Sequence, residues 1–413
     1  MIKKARALLE RYAVEIATAV YLIYMLYINV ADRIYSYVNV WYVLDYSYGF
    51  GSRLMLGSLL HMLTGDFIDE KFVYHFIIMM LAVLCILLAI LVGMVYRKIE
   101  HTDKKAGVLF LIVFYLASPA APGYLWTDEN MGRLDTYLFI CALALALIFC
   151  KVKRAWLRYV LFVLIGVFAI SVHQVYFFLF FPSLLVMMIQ DMWKAKFAKK
   201  QIILSVGSVV IIGIVFLFMQ FGSGIYYDDL AVLISDMSKT TNIAVSEAPL
   251  EAEYWWTIKD HIVKNQLPEL PERIRFGVLT VAMLVPVWGI SLYIWIQAIK
   301  SKQEKLQKCK YWLMLLSNIA YVPVFALMTD WGRWFAAFFV VTFLNLMVLI
   351  YDGDEGIGCG VEKLSTAVRR YPIVFIVLVL YVASFEKFEG INYLNQVQDF
   401  FYQTYDLKEL LLG

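Results

Sequence analysis

Long runs of apolar residues, separated by shorter polar segments, recur along nearly the whole chain. About eleven of them reach, or nearly reach, the roughly 17 to 25 residues that an α-helix needs to cross a bilayer. The runs are 12–31, 72–96, 106–122, 134–150, 156–172, 174–190, 202–221, 276–298, 311–328, 334–351 and 372–386. This pattern predicts an all-α fold, a polytopic transmembrane helical bundle of about eleven spans.

The composition also favours a protein embedded in a bilayer. Apolar residues make up 62% of the 413 residues, charged residues make up 17%, and the mean hydropathy is +0.72. Soluble proteins are roughly half apolar and a quarter charged, so we expect 1–413 to form a single integral membrane domain. The net charge of +3 gives no reason to expect a nucleic-acid partner. The five cysteines have no metal-ligand spacing, which argues against a structural zinc site.

Lysine and arginine collect in alternate loops. With the N-terminus placed in the cytoplasm, the cytoplasmic loops hold about twice as many Lys and Arg residues as the outer loops. Because short loops rich in positive charge stay on the cytoplasmic side, the sequence predicts a multi-pass protein of the cell (plasma) membrane with its N-terminus inside. An odd number of spans then places the C-terminus outside.

Two of the expected outer loops are long enough to carry structure of their own. The first outer loop, 32–71, is rich in tyrosine and contains the amphipathic segment Ser52 to Leu63. That segment is too short to span a bilayer, so it predicts an interfacial or re-entrant helix. The long outer loop, 222–275, contains two helix-like pieces, Asp228 to Lys239 and Glu253 to Asn265. A loop of this length usually carries function or covers a site.

Three short stretches share one order of residue types: a carboxylate, then glycine, then arginine, at the start of an apolar helix. They are Asp45 to Arg53 (DYSYGFGSR), Thr127 to Arg133 (TDENMGR) and Thr329 to Arg333 (TDWGR). Glycine permits a tight turn, and a helix start offers N–H groups and a partial positive charge to an anion. With an arginine added, each stretch is a candidate receptor for phosphate. The predicted orientation places all three stretches on the outer face.

The polar residues at these helix starts define a candidate site on the outer face. A carboxylate can act as a general base or hold a divalent cation such as Mg²⁺ or Mn²⁺, and an arginine can neutralise a phosphate or pyrophosphate leaving group. This set suits attack by a sugar hydroxyl on an anomeric carbon bonded to a lipid phosphate. The candidates are Asp45, Asp128, Glu129 and Asp135 for catalysis, Arg53, Arg133 and Arg333 for phosphate binding, and His61, His173, Gln174 and Asp330 in support.

Each candidate also has a purely structural interpretation. An arginine at the end of a span can simply reach the lipid headgroups. Asp128 or Asp330 can cap the helix that follows it, or pair with the nearby arginine. His173 can be an ordinary buried histidine with satisfied hydrogen bonds. The recurrence of the pattern three times on one face favours a shared site.

With these residues in view, the chain resembles the bacterial multi-span enzymes that build surface polysaccharides from polyprenyl-linked sugars. Asp45, the segment Ser52 to Leu63 and the pair Asp128-Glu129 are similar to the acidic residues and interfacial helices in the outer loops of GT-C-type membrane glycosyltransferases. This resemblance implies a polyprenyl-linked sugar donor, a glycan or lipid acceptor, and contact with membrane lipid.

A second group of the same enzymes shares other features. Arg53, Arg133, Arg333 and the 222–275 loop are similar to the outer arginines and long outer loop of the O-antigen polymerase and ligase type. Both resemblances imply outer-face transfer or polymerisation of sugars from a polyprenyl-phosphate or polyprenyl-pyrophosphate donor in cell-surface polysaccharide synthesis.

Two other functions remain open at this point. A transporter or flippase of lipid-linked oligosaccharide would need polar residues near the bilayer midplane, and the predicted span interiors carry almost no charge. A non-catalytic assembly factor of the same pathway would tolerate alanine at the three arginines. An outer-face glycosyltransferase or polymerase is therefore the leading hypothesis.

Overall fold

The computed structural model of the protein describes residues 10–256, 258–260, 263–264, 267–320, 325, 331–385 and 387. Asp330, one of the candidate site residues, lies outside this part of the chain. So do most of the residues after Phe385 and part of the predicted span 311–328.

Helices account for most of the described residues, which confirms the all-α prediction. The α-helices are α1 (Ala13–Asn29), α2 (Met55–Thr64), α3 (Glu70–Lys98), α4 (Thr102–Ala117), α5 (Asp135–Lys151), α6 (Ala155–Val172), α7 (Tyr176–Leu179), α8 (Phe181–Lys194), α9 (Lys199–Phe221), α10 (Leu230–Met237), α11 (Glu247–Leu250), α12 (Ile258–Asp260), α13 (Leu267–Met283), α14 (Val285–Lys300), α15 (Lys305–Ile319), α16 (Trp331–Tyr351), α17 (Glu355–Arg370) and α18 (Pro372–Ala383). Single turns of 3₁₀-helix cover Asn39–Tyr42 and Pro122–Trp126, and a π-helical turn covers Glu251–Trp255. Two short strands, β1 (Gly49–Phe50) and β2 (Gly224–Ile225), pair antiparallel.

Five described helical segments are long and apolar enough to cross a membrane. They are α3, α4 together with the turn that follows it (Thr102–Trp126), α6, α9 and α16. Helices α17 and α18 would make a sixth span if they counted as one, although they are bent by 103° relative to each other. These long apolar helices indicate a multi-pass membrane protein. The expectation of eleven spans is wrong for the described part of the chain.

Proline explains why two predicted spans are divided into shorter helices. Pro182, Pro286 and Pro372 each stand in the first turn of a helix, namely α8, α14 and α18. A proline ring clashes with the carbonyl group four residues earlier and supplies no N–H, so a preceding helix ends before it. The predicted spans 174–190 and 276–298 are therefore each divided between two helices.

Helix α16 forms the centre of the bundle. It packs against α3, α5 and α8. Of the most apolar stretch of α16, 89% is buried inside the protein, compared with 22% for α9 at the edge. Such burial fits the sequence of α16, whose apolar residues continue around the whole helix. The helix therefore fixes the position of its first turn, which carries Arg333.

Buried amide groups hold α16 to the interrupted helices beside it. The side-chain Nδ2 of Asn345 donates to the carbonyl oxygen of Ser183 at 2.8 Å and to Oδ1 of Asn318 at 2.7 Å. The hydroxyl of Ser183 in turn donates to the carbonyl oxygen of Asn318 at 3.2 Å. These hydrogen bonds join α8, α15 and α16 and satisfy polar groups that the bilayer interior would penalise.

Three connecting segments meet at one end of the bundle, which we call the loop end. The segments are 32–69, 118–134 and 222–256. The first and second are joined by backbone hydrogen bonds from Ala31 N to Trp126 O and from Tyr35 N to Met131 O, both 3.0 Å. Tyr42 adds a hydrogen bond from its hydroxyl to the carbonyl oxygen of Gly132 at 2.6 Å.

The segment 222–256 covers the segment 32–69. In the β1–β2 ladder, Gly49 lies opposite Ile225. Farther along, Ile68 N donates to Thr240 O at 2.8 Å, and Nδ2 of Asn39 donates to Ala244 O at 2.6 Å. Most of the long outer loop that is described is therefore fastened to the first outer loop.

Helix α2 occupies most of the predicted amphipathic segment and packs directly against the backbone of Leu44, which precedes it in the chain. A Cβ atom at Gly57 would overlap the carbonyl oxygen of Leu44. We expect Gly57→Ala to lower the free energy of unfolding by about 1–3 kcal/mol, because α2 must move away from this carbonyl. The matched control is Gly213→Ala in α9, where a Cβ would meet nothing within 4 Å.

Thermal unfolding of both variants in detergent tests this contact. The control should keep the stability of the wild type or gain a few tenths of a kcal/mol, since alanine is the better helix former. Equal stability of Gly57→Ala and the wild type would show that α2 is not held against Leu44.

Candidate functional site

Arg53 lies at the turn that leads into α2 and faces a carboxylate from the covering segment. Its backbone has a φ of 73°, which is uncommon for a residue with a side chain, and its N–H donates to the carbonyl oxygen of Ser171 at 2.9 Å. The guanidinium Nη2 lies 2.9 Å from Oε2 of Glu253, and the guanidinium carbon Cζ lies 4.7 Å from the ring centroid of Trp41. Its Nε is buried and makes no hydrogen bond with the described residues. Arg53 is thus held firmly and retains one unsatisfied donor.

Gln174 connects three parts of the chain next to Arg53. Its Nε2 donates to Oε1 of Glu253 at 2.6 Å, and its Oε1 accepts a hydrogen bond from the hydroxyl of Ser52. The hydroxyl of Tyr254 donates to the carbonyl oxygen of Ser52 at 3.4 Å. The turn after α6, the first outer loop and the π-helical turn of the covering segment therefore meet at this point.

Arg333 and Asp135 join the first turns of α16 and α5. Nε of Arg333 lies 2.6 Å from Oδ2 of Asp135, and the two side chains are only 12% and 4% exposed. Asp135 is the first residue of α5, where the helix dipole stabilises a carboxylate. This buried ion pair fixes the direction of Arg333.

Arg133 precedes α5 and is itself buried. Its Nε donates to the backbone oxygen of Glu129 at 2.8 Å, and its guanidinium lies 5.0 Å from the ring centroid of Tyr35. The charges of Arg133, Arg333 and Asp135 all act on the buried hydroxyl of Tyr124. The second and third of the carboxylate–Gly–Arg stretches therefore meet.

His173 connects this group to Arg53. Burial, followed by the charges of Arg53 and Arg333, lowers the pKa of His173 well below its ordinary value; Arg133 adds to the effect, and a hydrogen bond with Gln174 opposes it. The imidazole is therefore neutral. The charges of all three arginines therefore reach this buried ring, and we treat the four residues as one group. We call Arg53, Arg133, Arg333 and His173 the arginine cluster.

Asp45 pairs with His61 beside the arginine cluster. Oδ2 of Asp45 lies 3.2 Å from Nε2 of His61, and Oδ1 accepts a hydrogen bond from Ser47 N at 2.7 Å. Nδ1 of His61 lies 3.2 Å from the carbonyl oxygen of Gly65, a contact that orients the ring. The residue after Asp45, Tyr46, makes a side-chain hydrogen bond with Ser171, whose carbonyl oxygen binds Arg53 N. Asp45 and its partner therefore adjoin the cluster without belonging to it.

The remaining predicted carboxylates are placed differently. Asp128 is exposed, and Glu129 contacts Arg133 only through its backbone oxygen. Among the described residues, neither side chain makes a hydrogen bond or ion pair. Asp330 lies outside the described residues. The structure therefore brings Asp135, and not Asp128 or Glu129, into side-chain contact with the arginines.

Glu253 is the residue that the sequence analysis did not select. It pairs with Arg53 and Gln174, which precede it by about 200 and 80 residues, so no local pattern indicates the contact. The only signal was its place at the start of a helix-like piece in the long outer loop.

A divalent cation remains a prediction. No group of three or more His, Cys, Asp and Glu side chains suited to hold a metal ion occurs within the described ranges. Asp135 and Glu253 already pair with arginines. No step proposed below uses a metal ion.

A scan against protein-family models finds no match to the chain, and neither a search of curated proteins nor a search of solved structures gives one. The geometry of the loop end is therefore the basis for the function proposed next, and the family resemblance stays an expectation.

Proposed function

We propose that this protein transfers or polymerises sugars from a polyprenyl-phosphate or polyprenyl-pyrophosphate donor at the loop end, which faces the outside of the plasma membrane. The single observation that supports this most is that the charges of Arg53, Arg133 and Arg333 all act on the buried His173, with Arg53 paired to Glu253 of the covering segment. The product would enter a cell-surface polysaccharide by addition to a glycan or lipid acceptor.

The arginines would bind the donor phosphate and stabilise it as it leaves. A guanidinium can donate two parallel hydrogen bonds to a phosphate, and such donors act strongly where water is excluded. Arg333 is held by Asp135 and Arg53 by Trp41 and Glu253, so little reorientation is needed when negative charge develops. The unsatisfied Nε of Arg53 is a donor ready for a phosphate oxygen.

Asp45 would be the general base. It would take the proton from the acceptor sugar hydroxyl as that oxygen forms a bond to the anomeric carbon; the bond from this carbon to the phosphate oxygen breaks, and the phosphate leaves with the electron pair. His61 would orient this carboxylate through the 3.2 Å contact. Asp128 is less well supported because its side chain is exposed and unpaired among the described residues.

Glu253 would control access to Arg53. A donor phosphate that binds Arg53 must displace or share this carboxylate, so binding would be coupled to movement of the covering segment. Closure of the segment would then keep water from the reacting carbon.

The test is to express Asp45→Asn and Asp128→Asn proteins and to measure surface polysaccharide on gels and the formation of new glycosidic bonds from a labelled polyprenyl-pyrophosphate sugar. We expect at least a tenfold loss of product for Asp45→Asn and a smaller change for Asp128→Asn, because a general base contributes roughly 10²- to 10⁴-fold. Asp236→Asn, which changes a partly exposed carboxylate of α10 that pairs with Lys239, is the control.

Two outcomes would contradict the proposal. Normal amounts of product from both Asp45→Asn and Asp128→Asn would show that neither carboxylate acts as the general base. Passage of labelled lipid-linked sugar across proteoliposomes with no new glycosidic bond would instead identify a transporter or flippase.

A further inference from the structure

The end of the bundle opposite the loop end contains a cavity between α1 and α3. The start of α1 and the last residues of α3 and α5 lie at this end, because the other ends of these helices join the segments of the loop end. The cavity has a volume of about 500 Å³. Ligand pockets occupy roughly 300–1,000 Å³, so it is large enough to hold a ligand. Its walls are mostly apolar and include Ile16, Ile90 and Met94.

The cavity lies where the hydrocarbon layer of a bilayer meets the lipid headgroups. Helix α3 has 29 residues. A helix of this length extends about 43 Å and exceeds the ~30 Å hydrocarbon core, so its last residues, Arg97 and Lys98, reach the headgroup level. Ile16 and Ile90 are exposed, as expected for helix surfaces that contact lipid chains. A lipid molecule can therefore approach the cavity from the bilayer.

Two charged residues in the wall of the cavity neutralise each other. Arg97 forms an ion pair with Glu15, and its guanidinium carbon Cζ lies 4.4 Å from the ring centroid of Tyr12. A Cβ atom at Gly93 would overlap the carboxyl group of Glu15, so this carboxylate lies against the backbone of α3. Glu15 is the only acidic residue among the described residues of the wall. An anion in the cavity would thus meet no unpaired carboxylate there.

Lys151, the last residue of α5, adds a positive charge to the wall. Its Nζ lies 5.9 Å from the ring centroid of Tyr351, and Nζ of Lys98 lies 4.0 Å from the same centroid. Neither lysine forms an ion pair within the described part of the chain. The next residue after Tyr351, Asp352, pairs with Lys194 at 2.9 Å. Two lysine charges beside the cavity are therefore not balanced by a carboxylate of the described residues.

We propose that this cavity binds the headgroup of an anionic phospholipid, with Lys151 and Lys98 attracting its phosphate and the acyl chains lying along Ile16 and Ile90. Basic pockets between membrane helices on the cytoplasmic side are suited to such headgroups, and the predicted orientation places this end in the cytoplasm. The site does not depend on the glycosyl transfer proposed above, because it lies at the opposite end of α3 from the first outer loop.

Binding of radiolabelled dioleoyl phosphatidylglycerol and dioleoyl phosphatidylcholine to the purified full-length protein in detergent tests the site. Phosphatidylglycerol should bind at least ten times more tightly. The variant Lys98→Gln/Lys151→Gln should lose at least tenfold of this affinity, since one lysine near a membrane surface contributes roughly fivefold to the attraction of anionic lipid. Its affinity for phosphatidylcholine should not change.

The matched control, Lys199→Gln/Lys200→Gln, removes two exposed lysines at the start of α9. It should bind phosphatidylglycerol like the wild type. An equal loss in this control would overturn the proposal, because the attraction would then come from the charge of the whole face. Equal affinity of the wild type for the two lipids, or unchanged affinity for phosphatidylglycerol in Lys98→Gln/Lys151→Gln, would also overturn it.

A third variant tests the cavity without changing charge. Ile90→Trp adds bulk to the wall and should weaken the binding of both lipids, with the thermal unfolding temperature as a check of folding. Wild-type binding of both lipids by a folded Ile90→Trp protein would show that the headgroup does not occupy the cavity, and the proposal would fail.

Discussion

Replacing Asp135 by leucine is expected to lower the free energy of unfolding by about 3–5 kcal/mol, because it breaks the ion pair with Arg333 in a site nearly closed to solvent. Leucine has a similar size but cannot accept the 2.6 Å hydrogen bond from Nε. Reversible unfolding in mixed detergent micelles, followed by circular dichroism, measures the loss.

The double variant Asp135→Leu/Arg333→Met separates the buried charge from the packing. It should recover at least half of the lost stability, since two apolar side chains often replace a buried ion pair without net cost. Asp103→Asn is the control: this residue forms a largely exposed pair with Arg369 and should change stability by less than about 1 kcal/mol. If Asp135→Leu costs no more than this control, the pair does not fix Arg333. A folded double variant that still makes polysaccharide would remove Arg333 from the proposed phosphate site.

Lys310→Met is the second substitution with a large expected effect, also about 3–5 kcal/mol. Nζ of Lys310 lies 2.5 Å from Oδ2 of Asp354, and the two side chains are 7% and 3% exposed. Asp354 also accepts hydrogen bonds from the hydroxyl of Tyr311 at 2.8 Å and from Ile357 N at 3.0 Å, so it caps α17. Methionine keeps the length of the lysine side chain and leaves a buried carboxylate without its counter-ion.

Two further variants define the cause. Lys310→Met/Asp354→Asn should regain much of the stability, because asparagine still caps a helix and carries no charge. Lys302→Met is the matched control, because its partner Glu355 is 86% exposed and the pair should contribute about 0–1 kcal/mol. A loss in Lys310→Met that the double variant does not reduce would exclude the uncompensated charge as its cause.

The same pair predicts how stability depends on pH. Burial by itself would raise the pKa of Asp354, but Lys310 and the hydrogen bonds outweigh it, and the folded-state pKa lies below the ordinary value. A carboxyl group with a lowered folded pKa stabilises the protein above its unfolded pKa, near 3.9, and loses this contribution as the pH falls through the folded pKa. Unfolding measured from pH 7 to pH 3 should therefore show a smaller loss in Asp354→Asn than in the wild type. Parallel curves would contradict this.

The sequence predicted the helical class and a short helix in the first outer loop, because both follow from local patterns of apolar residues. The expected number of spans was wrong in part because the apolar runs 174–190 and 276–298 were counted as continuous, although Pro182 and Pro286 each begin a new helix within them. The carboxylate–Gly–Arg pattern indicated which arginines to examine, and in the structure the charges of all three act on His173. Their binding of phosphate stays a prediction.

The partners within the site could not be predicted from the pattern. Asp135 was expected to assist catalysis, yet its side chain is engaged by Arg333 from the other half of the chain. Glu253 approaches Arg53 only because β1 pairs with β2 and aligns two distant loops. Such long-range pairing depends on tertiary packing, and no spacing within either loop specifies it.

The fastening of the covering segment limits how the site can open. The β1–β2 ladder, the Ile68 contact and the Asn39 hydrogen bond anchor this segment at 224–225, at 240–241 and at Ala244. If these contacts are kept, opening of the site has to move residues 245–256, which follow the last anchor and carry Glu253. A substrate would then enter between residues 245–256 and the first outer loop. A covalent cross-link between these two segments would prevent opening without changing any arginine.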